Sequence, residues 1–124
     1  LLARSDFISV HAPLLPATRG LVNAATFAKM KDGAIVINTA RGPLIDEAAL
    51  VAALDSGKLG GAALDVVVTE PLAKDSPLIG RDNVILTPHT AFYSVEALEE
   101  LQTKCASDVA RVLSGEKAVY PISA

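Results

Sequence analysis

The run Ala34-Ile35-Val36-Ile37-Asn38 constrains the fold of this chain more than any other segment. It is continuously apolar and β-branched and does not alternate, which is the pattern of a strand buried on both faces. Such strands belong to parallel sheets, and parallel neighbours need a crossover between them, usually helical. The flanking sequence supplies the crossovers. Phe7-Ile8-Ser9-Val10 reads as a short strand closed by His11-Ala12-Pro13 and the turn-rich Leu14 to Thr18. Asn23 is placed to cap a helix through Met30, with Phe27 and Met30 on one face, before Lys31-Asp32-Gly33 ends it. Asp46 caps the next helix, whose Ala49, Leu50, Ala53 and Leu54 recur at helical spacing, and Gly57 supplies a left-handed stop. Ala62 to Val67 reads as a third strand and Asn83 to Leu86 as a fourth. A longer helix is expected from Ser94 to about Leu113, with Val95, Leu98, Leu101, Cys105, Val109 and Val112 at helical spacings. Glu96, Glu99 and Glu100 suit its positive end and Arg111 its negative end. Strands alternating with helices give an α/β layered fold around a parallel sheet.

Composition narrows the function classes. The chain has 124 residues, 51% of them hydrophobic, enough for one packed core. A net charge of −3 with no basic run argues against a nucleic-acid ligand. Asp, Lys, Arg or Pro interrupts every apolar run before it reaches membrane-spanning length, so the chain reads as soluble, with no membrane partner. The single cysteine, Cys105, is compatible with a reducing, cytoplasmic compartment, and its position in a helical pattern suggests a packing role. Leu1 to Asp6 reads like the end of a helix entering a strand, so the chain is expected to begin mid-domain, and any targeting peptide would lie upstream of Leu1.

Three charged side chains stand in short cassettes after strand-like runs: Arg41 in Asn38-Thr39-Ala40-Arg41-Gly42, Glu70 in Thr69-Glu70-Pro71, and His89 in Thr87-Pro88-His89-Thr90-Ala91. Ends of successive parallel strands converge on one rim, so the three can meet in one crevice. Arg41 is either an exposed loop residue or a bidentate clamp on a carboxylate. His89 is either a solvated loop histidine or a general acid/base, and Glu70 is the discriminator, because a carboxylate on one ring nitrogen sets the tautomer and leaves the other free. Asp65 interrupts an apolar run, where a carboxylate is costly unless paired. It either caps a backbone turn or faces a ligand. His11 reads as a structural or ligand-wall residue. No His, Cys, Asp and Glu spacing of the metal-site kind is present, and there is no Gly-x-Ser-x-Gly elbow.

The ordered set Val10-His11-Ala12-Pro13-Leu14, Thr18-Arg19-Gly20-Leu21, Met30-Lys31-Asp32-Gly33, Ile37-Asn38-Thr39-Ala40-Arg41-Gly42, Ala63-Leu64-Asp65-Val66, Glu70-Pro71-Leu72 and Leu86-Thr87-Pro88-His89 resembles the C-terminal part of the D-isomer-specific 2-hydroxyacid dehydrogenases. The resemblance spans essentially the whole chain. It implies a partial Rossmann-type, doubly wound parallel sheet, with residues 1–93 as the second half of a dinucleotide-binding domain. Residues 94–124 would be a C-terminal helix and a tail returning toward a substrate domain outside the chain. It implies that Arg41 binds the substrate carboxylate and carbonyl oxygen, that His89 is the proton donor or acceptor, and that Glu70 is its partner. It also implies that Ala12, Pro13, Thr18, Thr39, Ala40, Asp65, His89 and Ala91 line an NAD cofactor, with NADP an open alternative. The substrate would be a small 2-oxo or 2-hydroxy acid, and the full-length protein a homodimer. Hydride would pass between nicotinamide C4 and substrate C2 while His89 handles the hydroxyl proton.

One departure is large. The glycine fingerprint Gly-x-Gly-x-x-Gly and the acidic residue that reads the adenosine ribose are both absent, and Gly57, Gly60 and Gly61 have the wrong spacing. The expectation is therefore a fragment, inactive alone, whose parent is the enzyme. A second reading is a non-catalytic, NAD(H)-sensing binding protein, since transcriptional corepressors resemble this family and keep a similar trio.

Overall fold

A computed structural model of the chain describes residues 1–121 and divides into two compact units, Leu1–Ala91 and Phe92–Ala124. The first unit carries a four-stranded, all-parallel sheet whose spatial order follows the sequence: β1 (Phe7–Val10), β2 (Ala34–Asn38), β3 (Leu59–Leu64) and β4 (Val84–Leu86). Helix α1 (Ala24–Phe27) lies between β1 and β2, and α2 (Glu47–Asp55) between β2 and β3. Registers align Ile8, Val36, Ala62 and Val84 in one row and Val10, Asn38, Leu64 and Leu86 in another. Both rows face the core, where Phe27, Met30, Leu50 and Leu54 join them.

The opposite face of the sheet differs from expectation. Strand β2 is buried only on alternate residues, with Ile35 and Ile37 half-buried, while Phe7 and Ile85 on the flanking edge strands are 66% and 67% exposed. The reason is topological. Crossovers of one hand between strands laid down in one direction put their helices on the same side of the sheet. The sequence run is thus apolar on both faces although this unit covers only one.

Two boundaries also shift. The helix capped by Asn23 spans only Ala24–Phe27, with turns carrying the chain on to the buried Met30. Its cap is nonetheless reciprocal: Asn23 Oδ1 accepts from Ala25 N and Thr26 N, and Thr26 Oγ1 accepts from Asn23 N. Strand β3 begins at Leu59 and ends at Leu64, three residues earlier than the sequence pattern suggests. Gly60 and Gly61, poor strand formers, are required there by close approach. A Cβ on Gly60 would lie 2.5 Å from Gly33 O, and one on Gly61 2.8 Å from Asn83 O. Asp65 consequently stands just past the strand instead of interrupting it.

In the second unit, helix α3 (Val95–Leu113) is capped by Ser94 Oγ, which accepts from Ala97 N at 3.0 Å. Asp108 accepts from Val119 N and Tyr120 N, tying the following segment back to the helix, and these bonds hold its carboxyl below the ordinary range. Cys105 is exposed, so the packing role expected for it is not found. Of the expected helix and tail over 94–124, residues 122–124 lie outside the described residues.

Leu50 is 1% exposed in the core between α2 and the sheet. In urea denaturation, Leu50→Ala should lower stability by about 2–5 kcal/mol through lost burial and the cavity it leaves. Lys29→Ala, on an exposed turn, should stay within about 0.5 kcal/mol of the parent.

Candidate active site

Parallel strands end on one rim, so Asn38, Leu64 and Leu86 deliver three loops side by side. Pairing continues beyond the strands. Asp65 N donates to Asn38 O at 3.0 Å, and His89 N donates to Asp65 O at 2.8 Å. The Asp65 carboxylate then binds the loop that carries His89. Its Oδ1 accepts from Thr87 Oγ1 at 2.5 Å and Thr90 N at 2.8 Å, and its Oδ2 accepts from Ala91 N at 3.0 Å. His89 has φ +56°, a left-handed conformation that side chains other than glycine rarely adopt and that costs about 1–3 kcal/mol. Bonds from Asp65 on both sides of His89 over-determine that conformation. Asp65 thus caps the backbone turn that carries His89.

Asp65 is only 5% exposed, and burial works against its charge. The hydrogen bonds from Thr87, Ala91 and Thr90, together with the nearby His89, outweigh burial and hold its carboxyl below the ordinary 3.8.

His89 Nδ1 lies 2.8 Å from Glu70 Oε2, and Glu70 Oε1 accepts from Val67 N at 3.1 Å. Both carboxylate oxygens are therefore engaged. The hydrogen bond with His89, then that from Val67, hold the Glu70 carboxyl below its ordinary 4.5. With Nδ1 committed to the carboxylate, Nε2 is the ring nitrogen left to exchange a proton. A cavity of about 330 Å³ adjoins the pair, walled by Val67, Pro71, Leu72 and Leu86.

Arg41 is exposed at the end of the turn after β2, and its Nη1 donates to Ala40 O at 2.6 Å. It forms no ion pair with Glu70 among the described residues. It lines a neighbouring cavity of about 440 Å³ with His11, Ala12, Pro13, Leu14 and Ala40. Gly42, next to Arg41, touches the backbone of Val67 in the wall of the other cavity. A Cβ there would lie 2.0 Å from Val67 C, so the turn after Arg41 is packed directly on the backbone that holds Glu70. His11 Nε2 is 2.7 Å from Ser9 Oγ, the wall position expected from the sequence.

The residues expected to line a cofactor divide by this geometry. Ala12, Pro13 and Ala40 border the Arg41 cavity, whose small side chains at strand ends leave room for a flat ring beside the guanidinium. The Thr18 hydroxyl is spent within its own loop, donating to Pro13 O at 2.6 Å and accepting from Leu15 N at 2.8 Å. Asp65 and Ala91 are bonded to each other, and Thr39 is exposed. The chain therefore fits the nicotinamide end of a dinucleotide. Its glycines form no Gly-x-Gly-x-x-Gly turn for the pyrophosphate. Asn38, buried at 1% exposure, was not singled out by sequence reading; the available signal was a polar residue closing an otherwise apolar strand.

Because the Asp65 carboxyl is depressed in the fold, its contribution is complete above its unfolded value and is lost as pH falls through the folded one. Asp65→Asn should therefore destabilise the protein at pH 7. The gap to the parent should begin to narrow as pH falls below 3.8 and go on narrowing through the lower folded value, checked by urea titrations across pH. A gap that persists unchanged at pH 2 would show that the carboxylate charge is not the stabilising feature.

Residues 1–91 match the family described as D-isomer specific 2-hydroxyacid dehydrogenase, NAD binding domain. A hydroxypyruvate reductase of Blautia hydrogenotrophica is 48% identical over 115 residues, covering 93% of this chain and 36% of that protein. A D-isomer specific 2-hydroxyacid dehydrogenase of Xanthobacter autotrophicus, crystallised with NADPH and MES, superposes at TM-score 0.83 with 43% identity, over 98% of this chain and 50% of that one. A D-lactate dehydrogenase of Lactobacillus jensenii with NAD+ superposes at TM-score 0.88 with 32% identity, over 99% of this chain and 41% of that one. The chain spans about a third of the length of the curated hydroxypyruvate reductase it matches. With sequence, fold and loop geometry in agreement, the chain belongs to the D-isomer specific 2-hydroxyacid dehydrogenase family, in its NAD binding domain.

Proposed function

We propose that this chain supplies the nicotinamide-side half of an NAD(P)-dependent dehydrogenase that interconverts a small 2-oxo acid and a D-2-hydroxy acid. The observation that carries the reading is the His89 Nδ1 to Glu70 Oε2 contact of 2.8 Å on a loop held by Asp65, with Nε2 uncommitted at the rim. Such a pair sets the imidazole tautomer and fixes the ring's orientation. In reduction, His89 Nε2 gives its proton to the substrate carbonyl oxygen; in oxidation it takes the hydroxyl proton back. Arg41 offers a planar fork to the substrate carboxylate, which orients the reacting carbon. Its bond to Ala40 O is the contact it exchanges for substrate. Ala12, Pro13 and Ala40 hold the nicotinamide, which when bound supplies the hydride donor or acceptor.

Relatives of known structure carry NADPH in one case and NAD+ in another, and the residues that discriminate them belong to the adenosine side. Both cofactors are assay conditions for this protein. We infer a cytoplasmic homodimer for the complete enzyme. The exposed thiol of Cys105 supports a reducing compartment. The apolar sheet face at Phe7 and Ile85 supports a chain normally covered by further protein. Residues 1–124 alone are expected to lack turnover, because the sequence has no Gly-x-Gly-x-x-Gly turn for the pyrophosphate.

In the complete enzyme, His89→Ala should cut kcat by about 10²- to 10⁴-fold while cofactor affinity stays nearly unchanged, read by steady-state kinetics and cofactor fluorescence titration. Full activity in this variant would end the assignment. Arg41→Lys should raise KM for the 2-oxo acid, because an ammonium cannot reproduce two parallel bonds to a carboxylate. An unchanged KM would make Arg41 a loop residue only.

A further inference from the structure

We infer that Asn38 is a positioning residue for Arg41: it never reaches substrate, and it sets substrate affinity by holding the turn from which the guanidinium projects. The inference rests on the reading of Arg41 as the carboxylate clamp.

Asn38 is the single polar side chain in the two core-facing rows of the sheet, set between Val10 and Leu64 and 1% exposed. An apolar residue of similar size would suit those neighbours equally well. Its side chain instead serves the turn. Nδ2 donates to Arg41 O at 2.9 Å and Oδ1 accepts from Ala40 N at 3.0 Å, so one planar amide brackets the Ala40-Arg41 pair from the peptide before Ala40 to the peptide after Arg41. Removing it would take the side-chain partner from Ala40 N and leave Arg41 O with Leu44 N at 3.2 Å, so the turn would lose its tie to the strand.

Two further contacts give that bracket a direction. The Asn38 carbonyl accepts from Asp65 N, and Asp65 in turn holds the His89 loop. On the far side of Arg41, Gly42 lies against the Val67 backbone, whose N–H is bonded to Glu70. The Arg41 backbone is thus referenced to the His89–Glu70 pair from both ends, while its side chain stays exposed and free to rotate onto an anion. Placing a charged fork within a fraction of an ångström is what an oriented substrate requires, and a misplacement of about 1 Å costs up to about 10²-fold.

The test is a mutant cycle in the complete enzyme with 2-oxo acid kinetics. Asn38→Ala should raise KM for the 2-oxo acid by at least about tenfold. Cofactor Kd should change by less than KM, because Ala12 and Pro13 of the nicotinamide wall are untouched and only Ala40 loses a bond, and the pH profile of kcat should not move, because the amide makes no contact with the His89–Glu70 pair. Asn38→Ser, whose hydroxyl can still accept from Ala40 N, should recover part of the loss and serves as the folded variant if alanine is not tolerated. In an Arg41→Lys background the Asn38 effect on KM should largely vanish, since a residue acting through Arg41 has nothing left to position. Additive effects in the double variant, or a fall in cofactor affinity parallel to the rise in KM, would overturn the inference and leave the Arg41 assignment intact. An Arg41→Lys enzyme with unchanged KM would overturn both.

Discussion

The parallel pairing of β2 with β3 is the constraint on which the site depends. With Asn38 level with Leu64, the residues that follow each strand leave the sheet at the same height and on the same edge. The ladder then continues through Asp65 N to Asn38 O and His89 N to Asp65 O, so three loops of different length are bound to one another by backbone groups. A slip of one residue would turn Asn38 and Leu64 to the other face and separate the loops.

On this frame the polar residues divide into those that hold and those that act. Asp65 and Asn38 are buried and have every side-chain oxygen or nitrogen hydrogen-bonded, Asn38 within its own turn and Asp65 to the loop after β4. Arg41, Glu70 and His89 are partly exposed at the rim, two of them paired. Buried polar groups fully satisfied in this way rigidify a structure, because every alternative leaves a partner unbonded in a low-dielectric environment. The exposed groups keep the freedom to meet a ligand, and the strain of a left-handed His89 is carried by the buried carboxylate beneath it.

The same logic sorts the residues expected to line a cofactor by what their side chains touch. The Thr18 side chain is bonded within its own loop, and that of Asp65 is bonded to the loop that carries His89. Ala12, Pro13 and Ala40, chemically bland, are the ones that line the cavity beside Arg41.

Local chemistry determined much of this protein without reference to the rest of the chain. Asn23, Asp46 and Ser94 cap the helices as their side chains require, the β-branched run 34–38 is a strand to the residue, and charge and periodicity mark α3 from Ser94 to Leu113. The order of the Arg41, Glu70 and His89 cassettes after successive strands was also legible, because parallel strands must end on one rim. Three things were decided only by the tertiary structure. The start of β3 depends on backbones approaching Gly60 and Gly61 from neighbouring segments, which no local propensity encodes. The uncovered sheet face depends on both crossovers falling on one side. The division between positioning and reactive polar residues depends on which hydrogen-bond partners lie within reach, and Asp65 finds its partners at Thr87, Thr90 and Ala91 only once β3 and β4 are paired, a distance in sequence across which residue type alone carries no geometry.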